Sequence, residues 1–152
     1  MVLVRLLAVM LSSLLAGCGV LSQMAMSSTG VANADVTFVQ AVENKNGTWM
    51  FNVTVCHPDT GWDDYADGWD VVLPDGTVLK PDPDSPFTRL LLHPHETEQP
   101  FTRSQSGIVI PPDITQVQVR AHDLVDGFGG AEILVDLTQQ AGDGFEVTRS
   151  GG

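Results

Sequence analysis

The chain has 152 residues, 43% of them hydrophobic and 17% charged, with 19 acidic residues against 7 basic and a net charge of -12. That length and apolar content suit one domain with a real core. The charge excludes a nucleic-acid binder, which needs clustered Lys and Arg against phosphate, and 15 Gly with 9 Pro exclude coiled coils and long helices.

Residues 1–17 have the layout of an export signal. Arg5 precedes an apolar run over 6–16, and the first acid is Asp35. The run is about 11 residues, too short for the ~20 that a bilayer span needs. It ends in Leu15-Ala16-Gly17-Cys18, which resembles the bacterial lipobox. The resemblance implies cleavage before Cys18 and lipidation of its sulfur, the thiol being the nucleophile that takes the diacylglyceryl group. Gly19, not Asp, follows, so the resemblance further implies an outer-membrane lipoprotein facing the periplasm. The alternative is a secreted periplasmic protein cut after Ala34, at Ala32-Asn33-Ala34; without export, residues 1–34 would hold a buried helix and a free Cys18. Residues 18–34 read as a flexible tether, small and polar over 22–34. Once Cys18 is acylated, Cys56 is a lone thiol. It is expected to point outward from its strand and to be partly covered and inert, the alternative being intermolecular pairing.

From residue 35 onward the pattern has period two, with no useful 3.6-residue period. Strands are expected at 36–42, 48–57, 68–73, 77–93, 103–110, 115–122 and 130–137. Asn46-Gly47, Asp75-Gly76, Pro111-Pro112-Asp113 and 126–130 punctuate them. The clearest is Trp49, Phe51, Val53 and Val55 alternating with Met50, Asn52, Thr54 and Cys56. About seven short strands within 35–138 predict an all-β, immunoglobulin- or fibronectin-III-like antiparallel sandwich, with Trp69 where such a core keeps its tryptophan. Phe51, Val53, Val55, Trp69, Val117, Val119, Ile133 and Val135 are the expected core. Residues 139–152, polar and Gly-rich, read as a flexible, frayed tail.

Three segments are less generic: 59–69 (DTGWDDYADGW), 93–103 (HPHETEQPFTR), and Ala121-His122-Asp123 with 127–130. Together they resemble a group of small uncharacterised exported bacterial proteins. That resemblance implies export and a sandwich over roughly 50–137, and it carries no activity or catalytic residues. It also implies that 81–86 is an insertion inside one strand, 77–93.

If so, strand directions alternate and the ends at 57, 93 and 122 fall at one pole. His57, His93, His95 and His122 would gather there with Asp59, Asp63, Asp64, Glu96, Glu98 and Asp123. Imidazoles among carboxylates suit zinc, copper or nickel. The competing reading is hydrogen-bonded loop scaffolding over Trp62 and Tyr65, without any cofactor. The spacings reproduce no known zinc signature. The acids of 59–84 lack an Asp-x-Asp-x-Asp-Gly calcium loop. Asp59-Thr60-Gly61 matches the aspartic-protease triplet, but His57-Pro58 precedes it where an apolar strand end is needed. Asn46 and Asn52 head glycosylation sequons that read as chance in a bacterial exported protein. There is no Gly-x-Ser-x-Gly elbow and no phosphate loop.

The sequence therefore leads to a membrane-tethered envelope module that is not an enzyme and binds an envelope protein or a glycan. The alternative is a transition-metal-binding envelope protein using the histidine pole. A hydrolase sharing acid–base work between His and Asp is a distant third.

Overall fold

A computed structural model describes residues 33–150; Cys18 and the expected signal segment and most of the expected tether, with Gly151 and Gly152, lie outside them. Among the described residues there is no helix, and strands form two facing five-stranded sheets. The all-β sandwich expected from the period-two pattern is therefore the fold.

In the first sheet, β1 (Asp35–Glu43) and β2 (Trp49–Cys56) pair antiparallel from Asp35↔Cys56 to Glu43↔Trp49. The turn between them uses Gly47 at φ +81°, a conformation that favours glycine, as the Asn46-Gly47 signal requires. β5 (Phe101–Ile108) covers the other edge of β2.

The second sheet is built on β3 (Ala66–Val72) and β6 (Gln116–Asp123), paired antiparallel. The far edge of β6 takes β7 (Gly127–Phe128) and then β8 (Ile133–Asp136), two pieces of one run. The far edge of β3 takes a broken strand: Val78 bridges Val72, and β4 (Arg89–Leu90) pairs with Trp69 and Gly68. Both pieces run in the same direction along β3. The expected continuous strand at 77–93 is thus interrupted by residues 80–88, but its polarity survives the excursion. The excursion is more than a bulge. Phe87 lies against Gly68, where an added Cβ would sit 2.1 Å from the ring. Buried Thr88 donates its hydroxyl to the Leu79 carbonyl (2.6 Å) and accepts the Val71 amide (2.9 Å), closing the gap in the ladder.

The core residues expected from alternation are all buried, Phe51 and Trp69 completely. They lie on both sheets, so the core is the layer between them. Two expectations are corrected. The C-terminal segment is no frayed tail: β9 (Ala141–Gly142) and β10 (Phe145–Thr148) extend the first sheet. β10 pairs parallel with β1, Val39↔Phe145 to Val42↔Thr148, and buries Phe145 and Val147. Nor is Cys56 an inert thiol pointing outward. It is buried at the end of β2 and disulfide-bonded.

Trp69→Ala should cost about 3–5 kcal/mol in urea unfolding, because close packing from both sheets leaves little room to collapse. Truncation after Asp143 should lower the unfolding midpoint clearly, since it exposes one edge of β1 and removes two buried apolar side chains. A frayed tail would leave that midpoint unchanged.

Candidate functional site

Strand direction brings the ends of β2, β4 and β6 and the starts of β1, β3, β5 and β7 to one pole. The loops 57–65, 91–100 and 124–126 meet there. Backbone bonds tie them to neighbouring strands: the Leu124 amide donates to the Tyr65 carbonyl (3.0 Å), and the Leu91 amide to the Asp67 carbonyl (2.9 Å). The pole expected from strand counting exists, but the histidines divide into three environments within it.

The first is fully enclosed. His57 and Asp123 are 0% exposed and Asp59 is buried. The Asp59 carboxylate accepts the Ala66 amide (3.1 Å) and His57 Nδ1 (2.7 Å) on Oδ1, and the His95 amide (2.6 Å) on Oδ2. A carboxylate only accepts, so Nδ1 carries the proton of this bond. His57 Nε2 then points at Asp64, whose Oδ1 is 3.7 Å away, beyond hydrogen-bond reach. One candidate ligand atom from each of His57, Asp64 and Asp123 lies within 4.8 Å of the others. Asp123 Oδ1 is already used, taking the Val125 (3.1 Å) and Asp126 (2.6 Å) amides of the β6–β7 turn. His57 Nε2, Asp64 Oδ1 and Asp123 Oδ2 are buried and have no hydrogen-bond partner.

The second environment holds His93 and His95. The buried His95 ring stacks on Phe101 with centroids 3.8 Å apart and planes 11° apart, and the exposed His93 ring lies 4.5 Å from it. Glu98 is exposed and pairs with Arg103 at 2.9 Å; Asp63 and Glu96 are exposed on the loops. The third lies on the outer face of the second sheet. His122 Nδ1 meets Asp67 Oδ1 at 2.5 Å, and the ring packs between Phe87 and Phe128. Behind it buried Asp70 receives Arg120 (3.1 Å) and the Thr88 amide (3.1 Å).

Of the ten residues expected at the pole, the structure converges His57, Asp64 and Asp123, with Asp59 holding the histidine. His122 is directed away, because strand alternation places it opposite the inward Ala121 and Asp123. Sequence reasoning missed Asp67, the partner of His122, and Gln99, whose Oε1 accepts the His57 amide at 3.1 Å. Asp67 was legible in principle as the acid across the ladder from the end of β6. Gln99 had no signal.

The electrostatics follow. Burial alone would lower the His57 pKa, but the hydrogen bond to Asp59 and the charges of Asp59, Asp123 and Asp64 outweigh it, and the pKa is raised above 6.5. Burial would raise Asp59, but the bonds from His57 and from the His95 and Ala66 amides prevail, and its pKa falls below 3.8. His95 is lowered by burial first, then by Arg103 and His93, only partly offset by Asp59 and Glu98.

Over 91 residues the chain is 44% identical to a protein named "Putative lipoprotein" from Halomicrobium mukohataei. The match covers 60% of this chain and 41% of that protein, so the chain spans well under half of the relative's length. No family model and no solved structure matches the chain.

The Asp59–His57 pair sets a pH window. A raised histidine pKa stabilises fully below 6.5, and the gain is lost as pH rises through the folded-state value. A lowered carboxyl pKa stabilises fully above 3.8, and the gain is lost as pH falls through the folded-state value. His95 works against His57, its contribution being lost as pH falls below 6.5. The stability gap between wild type and Asp59→Asn, measured with chelator present, should therefore be widest between about pH 4 and 6.5 and narrow on both sides. A gap that does not vary with pH would show that the pair is not ionised.

Proposed function

We propose that this protein is an exported, membrane-tethered sandwich that acts as a non-catalytic binding module for a protein partner in the cell envelope. The observation that carries the location is the 91-residue similarity to a protein named as a lipoprotein, joined to the signal layout and the Leu-Ala-Gly-Cys motif at 15–18. The immunoglobulin-like reading is supported by the strand order, β5-β2-β1 facing β4-β3-β6 with β8 on the far side of β6. β1 begins at the loop pole, so a tether ahead of it leaves the domain there.

The binding reading rests on apolar side chains at that pole. Trp62 (67% exposed), Leu92 (70%), Val125 (62%) and Leu124 stand in solvent on three neighbouring loops. Trp62 meets Tyr65 edge-on at 5.9 Å, which steadies one anchor of the patch. Exposed aromatic and aliphatic groups clustered on adjoining loops mark a contact surface. Aliphatic neighbours around a single tryptophan favour a protein over a glycan, which would call for polar groups beside the ring.

The sulfur of Cys18 decides the mode of attachment. Cys18 is the chain's other cysteine, and a sulfur that carries the lipid as a thioether cannot also belong to a cystine. On the tethered reading acylation removes Cys18 from reach of Cys56 in the mature protein. The full chain made in a lipoprotein-processing host should fractionate with membranes and carry a lipid mass at residue 18, and Cys18→Ser should be released with its fold intact. A Cys18–Cys56 cystine in mature, non-reduced peptides would overturn the tether. For the surface, Trp62→Ala with Val125→Asp should abolish crosslinking to the envelope partner without lowering thermal stability.

A further inference from the structure

Among the buried polar atoms at the loop pole that have no hydrogen-bond partner, the ring nitrogens of His95 lie against Phe101, and three others fall on side chains that group together. Asp59 has its hydrogen bonds, and Asp123 Oδ1 has two amides. His57 Nε2, Asp64 Oδ1 and Asp123 Oδ2 have none. An unpaired buried carboxylate oxygen or imidazole nitrogen is costly, and three on neighbouring side chains call for a common occupant. We propose that His57, Asp64 and Asp123 form a binding site for one divalent transition-metal ion, with zinc the best fit.

The surroundings of His57 are those of a metal-binding histidine. Its Nδ1–H is held by Asp59, which fixes the tautomer and leaves the Nε2 lone pair free, 3.7 Å from Asp64 Oδ1. A carboxylate behind a ligating imidazole is the usual arrangement around bound zinc. Asp59 is itself immobilised by two backbone amides, from the start of β3 and from the loop leading to β5, so the ring is oriented before the ion arrives. The β6–β7 turn does the same for Asp123 by engaging only Oδ1.

The spacing is that of an open site awaiting small closure. Zinc ligands at ~2.1 Å in a tetrahedron lie ~3.4 Å from one another. His57 Nε2 and Asp64 Oδ1 are 3.7 Å apart, and the three-residue group spans at most 4.8 Å. Asp64 supplies the movement. It sits on the turn closed by its own amide to the Gly61 carbonyl (3.3 Å), with its side chain 31% exposed, whereas its two partners are fully enclosed. The ion enters past Asp64, and water completes the fourth position. One imidazole excludes a calcium-type site, which takes six to eight oxygens. Two carboxylates make copper(I), which prefers sulfur, a poor fit.

The test uses the full chain, prepared without a histidine tag, stripped with chelator and titrated separately with Zn²⁺, Mn²⁺ and Ca²⁺. Wild type should take one Zn²⁺ per chain, and saturating zinc should raise its unfolding temperature. Asp64→Asn is isosteric and half-exposed, so it keeps the fold, and it should weaken zinc binding at least tenfold and lose the thermal shift. Asp63→Asn, next door on the same turn, and His93→Ala, in the separate histidine pair, should bind like wild type, as should Cys18→Ser. Any of three results would overturn the site: no stoichiometric zinc, calcium outcompeting zinc, or binding that survives Asp64→Asn but fails in His93→Ala.

Discussion

A single buried carboxylate organises the loop pole. Asp59 accepts one side-chain and two backbone hydrogen bonds, from His57, Ala66 and His95. Those donors belong to the end of β2, the start of β3 and the loop leading to β5, so one side chain joins both sheets where the chain crosses between them. The charge is tolerable in a dry site because both of its oxygens are engaged by hydrogen-bond donors. Without it the 57–65 loop would lose its side-chain ties to β3 and to the loop leading to β5, and the imidazole of His57 would lose its orientation. The free nitrogen of His57 and the second oxygen of Asp123 are left without partners while their other polar atoms are engaged.

The outer face of the second sheet solves a different problem. β3 and β6 would otherwise present Asp67, Asp70, Arg120 and His122 to solvent. The excursion at 80–88 covers part of this row. Phe87 occupies the space that Gly68 leaves, and Thr88 replaces the ladder bonds that the interruption removes. Arg120 is held between Asp70 and the face of Phe128, 3.9 Å from the ring centroid. His122 is drawn into this covering layer, which is why four histidines at one end of the sandwich do not make one site.

Apolar side chains and acids share the pole without contradiction, because burial separates them. The acids that converge are inside, compensated by amides and imidazole, while Asp63, Glu96 and Glu98 remain in water. Trp62, Leu92 and Val125 are exposed on the same three loops. The pole therefore combines a buried, charged interior with exposed apolar side chains.

Sequence alone determined the sandwich, the buried core positions of β2, β3, β6 and β8, and the turns. These follow from a local rule: side chains alternate across a strand, and glycine takes the backbone angles that other residues avoid. Direction counting also placed the ends of β2, β4 and β6 at one pole, because antiparallel neighbours reverse. What it could not decide was which way each polar side chain turns once there. His122 and Asp123 are adjacent in sequence and point to opposite faces, and only the packing of Phe87 and Phe128 shows where His122 goes. His57 meets Asp64 and Asp123 because the 57–65 loop folds back onto the β6–β7 turn, a contact with no local signature. The parallel pairing of β10 with β1 was equally hidden. Four residues, Phe145–Thr148, form a strand because β1 offers them an open edge, and that edge exists only after the rest of the sheet has formed.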